Sequence, residues 1–355
     1  MKGEFIYPFT AIVGQEKMKK ALILNMVYPQ IGGVLIKGEK GTAKSTAVRG
    51  LSDVMPARYE NEDCLYHCLP EASNYWCDDC KLKQIQPSEG DNPSNRVKLQ
   101  KLQVVTLPIG ASEDRVLGTI DIEKAIKRGE KHFEPGILAY ANNGILYVDE
   151  INLLDDHLVD LLLDCAAMGV NTVEREGISF KHPSRFTLIG TMNPEEGDLR
   201  PQLLDRFGLM VTVESEREIY TRTEVVKRRI AFEEDPEGFC MRYEIEQKAL
   251  GRRINEAKDM LKDVEYSGKI LETIARIAID LGVDGHRADI TMLKTAQAQA
   301  AFEGRKKVEE EDVVLAATLC LPHRMRKLPF DDMVFDIEWI KKIIEGNHDR
   351  NSVSL

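Results

Sequence analysis

The chain has 355 residues, enough for about two domains, with 43% hydrophobic and 30% charged residues, an ordinary balance for a soluble globular protein. No apolar run approaches a membrane span and Met1-Lys2-Gly3-Glu4 lacks a signal-peptide core, so a cytoplasmic location is expected. A net charge of −11 excludes a global field for DNA or an anionic membrane, and seven cysteines, four of them in one short stretch, favour reduced thiols or a metal site over a disulfide framework.

Phe9-Thr10-Ala11-Ile12-Val13-Gly14-Gln15 precedes a helix predicted over Glu16–Val27, with Met18, Ala21, Leu22 and Met26 at helical spacing. Ile12-Val13 beside a Gly turn either packs on an adenine ring or simply covers the core. A short buried strand, Gly33-Val34-Leu35-Ile36, then leads into Gly38-Glu39-Lys40-Gly41-Thr42-Ala43-Lys44-Ser45 and a helix-forming segment from Thr46. Strand, Gly-rich turn and helix are the context of a P-loop, whose backbone N–H groups cradle phosphate at a helix N-terminus. Lys44 would meet the β- and γ-phosphates and Ser45 would bind Mg²⁺. Ala43 stands where a second glycine is usual, which is expected to require negative φ there.

Pro56 to about Gln100 reads as a long polar loop. It carries Cys64-x₃-Cys68-x₈-Cys77-x₂-Cys80, two close pairs that suit tetrahedral thiolate ligation of Zn²⁺, with His67 as a spare ligand. Four free thiols in the loop are the alternative. Val104–Leu107 reads as a strand, Ser112–Arg115 as the start of a turn and Asp121–Arg128 as a helix. A polar hairpin or loop over Gly129–Pro135 and a short helix over Gly136–Ala141 follow.

Gly144–Val148 is an almost uninterrupted apolar run that ends in Asp149-Glu150. A buried parallel strand has that pattern, and its C-terminal end is where α/β sheets carry chemistry. Asp149 would hold Mg²⁺ through water or the Ser45 shell, and Glu150 would polarise the attacking water. A helix is predicted over Asp155–Met168, with Cys165 as a small core residue. A hairpin is predicted from Val170–Glu174 and Ile178–Lys181 around Arg175-Glu176-Gly177. The strand Phe186–Thr191 delivers Asn193, either to the water and γ-phosphate or merely to a turn before Pro194. A short helix over Leu199–Phe207 carries Arg200 and Arg206, each either a surface ion-pair residue or an arginine finger. From Glu214 onward the strands stop. Helices are predicted over Glu216–Glu234, Met241–Lys262, Lys269–Leu281, Asp289–Phe302 and Glu309–Leu319. Arg287, at a helix start where the dipole disfavours a cation, is either solvated or held by an anionic partner.

Six stretches carry a family resemblance: Gly38–Thr46, Leu107–Gly118, Asp121–Gly136, Leu146–Leu163, Asn193–Leu209 and Pro322-His323-Arg324. Over nearly its whole length the chain resembles the ATPase I subunit family of magnesium chelatases, which are AAA+ proteins. The resemblance implies an α/β fold: a P-loop αβα core over residues 1–214, with β-hairpin insertions, and a helical linker and lid over 215–355. The core would include the cysteine-bearing loop (about 57–100), a helix-2 insert (about 112–135) and a pre-sensor-1 hairpin (170–182). It implies ATP and Mg²⁺ held by Gly38, Glu39, Lys40, Gly41, Thr42, Ala43, Lys44, Ser45 and Thr46 with Asp149 and Glu150. Asn193 matches sensor 1, Arg206 the arginine finger and Arg287 sensor 2. It implies a hexameric ring working with D and H subunits to insert Mg²⁺ into protoporphyrin IX, with no nucleic-acid partner. Nothing resembles a porphyrin pocket or a metal-ion-dependent adhesion domain, and the chain ends soon after the helical part, as expected of the I rather than the D subunit. The cysteine-bearing loop departs from photosynthetic members, so a chelatase for another metal or tetrapyrrole is an alternative. Others are a MoxR-type chaperone, a minichromosome-maintenance-type helicase and a non-enzymatic nucleotide sensor. The Ser112–Phe133 insert mixes acidic and basic residues without the basic strip of a helicase, and an intact Glu150 and Asn193 argue against a mere sensor.

Overall fold

The computed structural model describes residues 5–85, 97–120, 133–175, 178–325 and 337–344. The predicted helix over Asp121–Arg128, the start of the loop after it and the Glu176-Gly177 turn lie outside the described residues.

Helix α1 (Glu16–Val27) buries Met18, Ala21, Leu22 and Met26, as their apolar spacing predicts, and also Ile23, Leu24, Asn25 and Val27, so its C-terminal half is enclosed on every side. Strand β1 (Val34–Gly38), buried at Val34-Leu35-Ile36, feeds α2 (Lys44–Val54). The stretch from Pro56 to Gln100 is not the plain loop its polarity predicts. Strands β2 (Arg58–Asn61) and β3 (Val97–Gln100) pair antiparallel, and α3 (Asp78–Ile85) lies between them in sequence. Its small core is made of the four cysteines with Tyr66 and Ala139, and Trp76 packs on it. Cysteine supplies the burial that aliphatic residues supply elsewhere, which hides the core from a reading by periodicity.

Strand β4 (Val104–Leu107) is followed by α4 (Glu113–Leu117), where Ser112 caps the helix by accepting from the Arg115 N–H. Strands β5 (Gly118–Ile120) and β6 (Phe133–Pro135) pair antiparallel ahead of the short helix α5 (Ile137–Tyr140). Strand β7 (Ile145–Val148) is buried at every residue and leads to α6 (Asp156–Met168). The hairpin of β8 (Val170–Arg175) and β9 (Ile178–Pro183) precedes β10 (Thr187–Met192), also buried throughout. Helix α7 (Pro201–Arg206) and strand β11 (Leu209–Val213) end the α/β part. Helices α8 (Ile219–Glu234), α9 (Pro236–Met260), α10 (Gly268–Asp280), α11 (Arg287–Phe302), α12 (Glu310–Cys320) and α13 (Ile337–Ile344) follow. No described helix is long and apolar enough to cross a membrane.

The main sheet has five strands in the order β11-β1-β10-β7-β4. Strand β7 pairs parallel with both β4 and β10, in a register that sets Gly190 beside Val148 and so brings Thr191 level with Asp149. Uniform burial is what a parallel strand covered on both faces requires.

The chain divides into two compact units. The first comprises Met1–Gln15, Ile36–Asp198 and Val213–Arg252; the second comprises Glu16–Leu35, Leu199–Thr212 and Arg253–Leu355. Within the second, α1 packs on α11, and α11 packs on α10 and α12. Glu309 and Asp312 form a capping box at the start of α12, and Arg305 grips Asp312 with both guanidinium ends, at 2.8 and 2.5 Å.

Candidate active site

The P-loop residues Lys40–Thr46 and the acidic pair Asp149 and Glu150 line one cleft of about 680 Å³ in the first unit. Two features of β1 and the turn after it explain the local chain path. A Cβ at Gly38 would stand 2.3 Å from the Val213 carbonyl oxygen, so only glycine lets β1 approach β11 there. Gly41 adopts φ +85°, and Ala43, at the mouth of α2, adopts φ +60°. The negative φ expected of Ala43 is therefore not what the fold uses. The turn keeps the left-handed geometry that glycine would supply, at a cost of about 1–2 kcal/mol in a residue with a Cβ. The return on that cost is a turn whose successive N–H groups form an anion-binding concavity at the N-terminus of α2.

Lys44 bends back over this turn. Its Nζ donates to the Gly38 carbonyl and, at 3.0 Å, to that of Glu39. Burial pulls its ammonium below the ordinary range, against Asp149 and Glu150, which act in the other direction. Phosphate oxygens bound in the turn could replace these two carbonyls as acceptors of the Lys44 ammonium. Ser45 and Thr46 line the same cleft in the first turn of α2.

Asp149 and Glu150 are positioned by residues the motifs did not single out. Tyr147 and Thr191 both donate to Asp149 Oδ1, at 2.8 and 2.6 Å. Thr191 Oγ1 also accepts from the Glu150 N–H at 3.1 Å. One threonine thus fixes the carboxylate of Asp149 and the backbone of Glu150 together. Tyr147 and Thr191 stand inside apolar strand runs and read as core; Tyr147 reaches Asp149 from two residues before it on the same strand, and the parallel register of β10 with β7 brings Thr191 to the acidic pair. Glu150 has φ +52°, an uncommon conformation for a residue with a Cβ, of the kind that concentrates at functional sites. Its carboxylate faces Lys40 Nζ at 3.5 Å, and Lys40 also pairs with Glu196 at 2.6 Å. The hydrogen bond that Lys40 donates to the Glu196 carboxylate raises the Lys40 pKa above its ordinary value. Asn193 is buried, and its Oδ1 accepts from the Glu195 N–H at 3.3 Å. The turn-capping and sensor readings of Asn193 are compatible, because the cap uses only the carbonyl end of the amide.

Ile12 and Val13 form part of the same cleft wall, as do Arg222 and Arg229 of α8. Apolar wall, anion-binding turn and acidic strand end are together the parts a nucleotide site needs.

Arg200, Arg206 and Arg287 belong to the second unit. Arg200 is the N-cap of α7 and Arg206 lies in its last turn. Arg287 opens α11 and donates to Asp205 Oδ2 at 2.9 Å, so an anionic partner does offset its unfavourable place at a helix start. Asp205 is also gripped by the buried Arg324, whose Nε donates to Oδ1 at 3.1 Å and whose Nη2 donates to the Asp205 carbonyl at 2.9 Å. Arg324 satisfies further carbonyls, those of Phe207, Gly208 and Cys320. His323 Nε2 reaches the Phe207 carbonyl at 3.0 Å, and burial pushes its pKa down to about 3. Arg324 thus ties α7 to the end of α12, a structural role invisible in a three-residue motif.

The four candidate metal ligands come together. The Sγ atoms of Cys64, Cys68, Cys77 and Cys80 all lie within 4.8 Å of one another, and all four residues are buried. His67 does not join them; its Nδ1 lies 2.8 Å from Glu60 Oε2. Cys165 is a core thiol that burial pushes up to about 12, as expected of a small core residue.

A parallel α/β sheet with a P-loop after one strand and paired carboxylates after another defines the class: a P-loop nucleotide-binding protein of the AAA+ fold. Residues 271–343 match the AAA lid domain, and residues 121–200 match "Magnesium chelatase, subunit ChlI". A magnesium-chelatase subunit ChlI homolog of Methanocaldococcus jannaschii is 55% identical over 98% of this chain and 93% of its own. The magnesium-chelatase subunit ChlI of a Nostoc species is 48% identical over 92% of this chain and 86% of its own. A solved complex between subunits BchI and BchD of magnesium chelatase contains a chain 47% identical to this one, with a TM-score of 0.54, covering 92% of this chain and 98% of that one. A Cytophaga hutchinsonii protein of known structure, 18% identical with a TM-score of 0.59 over 94% of this chain and 90% of that one, shares the fold. The chain belongs to the magnesium-chelatase subunit ChlI family.

Proposed function

We propose that this chain is the ATP-hydrolysing ring subunit of a magnesium chelatase, acting in the cytoplasm with D and H subunits to drive insertion of Mg²⁺ into protoporphyrin IX. The observation that carries the reading is the single cleft lined by the P-loop and by both Asp149 and Glu150. Residues 1–214 would form the nucleotide domain and 215–355 the helical linker and lid. Ile12 and Val13 offer an apolar contact for adenine.

In this reading Lys44 exchanges the Gly38 and Glu39 carbonyls for the β- and γ-phosphates, where its charge meets the charge of the transferring group. A Mg²⁺ bound with ATP, held by Ser45 and Asp149, would neutralise phosphate charge. Tyr147 and Thr191 keep Asp149 Oδ1 turned in one direction for that task. Glu150 accepts a proton from the attacking water as its oxygen bonds to the γ-phosphorus and the bond to the ADP oxygen breaks. Asn193, with its Oδ1 engaged by Glu195, presents its Nδ2 hydrogens to a γ-phosphate oxygen. Arg206 acts as the finger from a neighbouring subunit of a hexameric ring, and Arg287, paired here with Asp205, takes the sensor-2 role.

Mixing Arg206→Ala protein with Glu150→Gln protein tests the ring. If the finger acts across the interface, some mixed sites combine an intact Glu150 with an intact Arg206, and ATP turnover partly returns. Mixed rings with no recovery would contradict action between subunits.

A further inference from the structure

We infer that Cys64, Cys68, Cys77 and Cys80 hold a single tetrahedral Zn²⁺-class ion that serves as the core of the β2–β3 segment. The distances decide among the chemistries open to four cysteines. A tetrahedral ion with Zn–S bonds of about 2.3 Å sets its sulfurs about 3.8 Å apart. Cys64 Sγ and Cys77 Sγ stand 3.8 Å apart, and no pair among the four exceeds 4.8 Å. A disulfide needs about 2.05 Å. A multi-iron cluster divides its cysteines among different iron atoms and spreads them wider than one ion does.

The backbone around the sulfurs is built for the same purpose. Cys64–Cys68 is a tight turn in which the His67 N–H donates to the Cys64 carbonyl at 3.3 Å. Asp63 and His67 take positive φ, +54° and +47°, to make it. Cys77 immediately precedes α3, and its N–H donates to Cys68 Sγ at 3.3 Å, a bond that stabilises a thiolate. The hydrophobic cluster here contains Tyr66, Ala139 and the cysteines themselves, with Trp76 partly buried against it. So small a core does not hold a segment of this length; ligation of an ion supplies what burial does not.

The turn between the first two cysteines is also a fixed point for the main sheet. Asn142 Nδ2 donates to the Tyr66 carbonyl at 2.5 Å and Asn143 Nδ2 to the His67 carbonyl at 3.0 Å. The same asparagines hold Arg185, through Asn142 Oδ1 to its N–H at 2.7 Å and the Asn143 N–H to its carbonyl at 2.5 Å. Asn143 and Arg185 stand two residues before the first residues of β7 and β10. The Tyr66 ring stacks on His182 of β9 at 5.0 Å. The ion therefore anchors the entrances of the two strands whose far ends carry Asp149, Glu150, Thr191 and Asn193, and with them the base of the β8–β9 hairpin.

Full-length protein purified without a metal-binding tag, under reducing and anaerobic conditions, is analysed for metal and for inorganic sulfide. About one zinc per chain is expected. The four thiols should resist alkylation until the ion is stripped by a mercurial and captured by a chromogenic chelator. Exchange for Co²⁺ should give the strong visible bands of a tetrahedral cobalt thiolate, with no mutation involved. Cys80→His should keep the ion, since imidazole is also a zinc ligand, whereas Cys77→Ser should lose it. Metal near zero with four reactive thiols, two disulfides by mass, or iron accompanied by sulfide would each overturn the assignment. The mixed-ring result is independent of all of these readouts.

Discussion

The phosphate loop and the cysteine turn solve one problem in two ways. Each must force residues with side chains into left-handed backbone, Ala43 at φ +60° in the first, Asp63 at +54° and His67 at +47° in the second. In the phosphate loop the anion-binding backbone itself lies within eight consecutive residues, from the end of a buried strand into the first turn of a helix. In the cysteine turn the supports come from far along the chain. Two cysteine pairs converge, and the turn's carbonyls are satisfied by Asn142 and Asn143, each 76 residues from its partner. A device made of contiguous backbone leaves a motif; a device made of distant partners leaves only its ligands.

Two substitutions in the nucleotide cleft sharpen this contrast. The larger effect is expected at Thr191, the cleft's one long-range support that binds both acidic residues. Thr191→Val keeps the shape but removes the hydrogen bond to the Asp149 carboxylate and leaves the Glu150 N–H without its acceptor, a loss of about 1.5–3 kcal/mol for a bond to a charged group. Steady-state kinetics should show kcat for ATP falling by about tenfold or more with KM changing less. An unchanged kcat would mean that the local motif is sufficient and that the distant support matters little. Ala43→Gly should do the opposite at the strictly local site. Removing the Cβ relieves left-handed strain, partly offset by the freer unfolded chain, for a net gain of about 0.5–1 kcal/mol. Denaturant unfolding of the two proteins measures it. A loss of stability would show that the alanine methyl makes contacts worth more than the strain.

Legibility follows the same division. The predicted bounds of α1, β4 and the hairpin strands differ from the structure by two residues or fewer, because regular apolar spacing or a run of β-branched residues is a local signal. The P-loop and Asp149-Glu150 are legible for the same reason, and the structure brings them into one cleft. Thr191 is not legible, since its acceptor lies 42 residues away on the paired strand, and Tyr147, two residues before Asp149, reads as one more large residue of an apolar run. Arg324 is similar: its five acceptors lie on Asp205, Phe207, Gly208 and Cys320, of which three residues are more than a hundred positions away. The β2–β3 ribbon was hidden because its core is cysteine rather than aliphatic residues. The sign of φ at Ala43 could not be read from composition, because a favourable anion site compensates the strain.

In the proposed function the cleft hydrolyses ATP with Glu150 as the base. The direct measurement compares wild type and Glu150→Gln for equilibrium Mg·ATP binding and for single-turnover hydrolysis on the same preparations. Glutamine keeps the size and hydrogen-bonding reach of the side chain but cannot accept the proton. Binding is predicted to stay within a few-fold of wild type while hydrolysis falls by about 10²–10⁴-fold. Equal binding with equal hydrolysis would contradict the account.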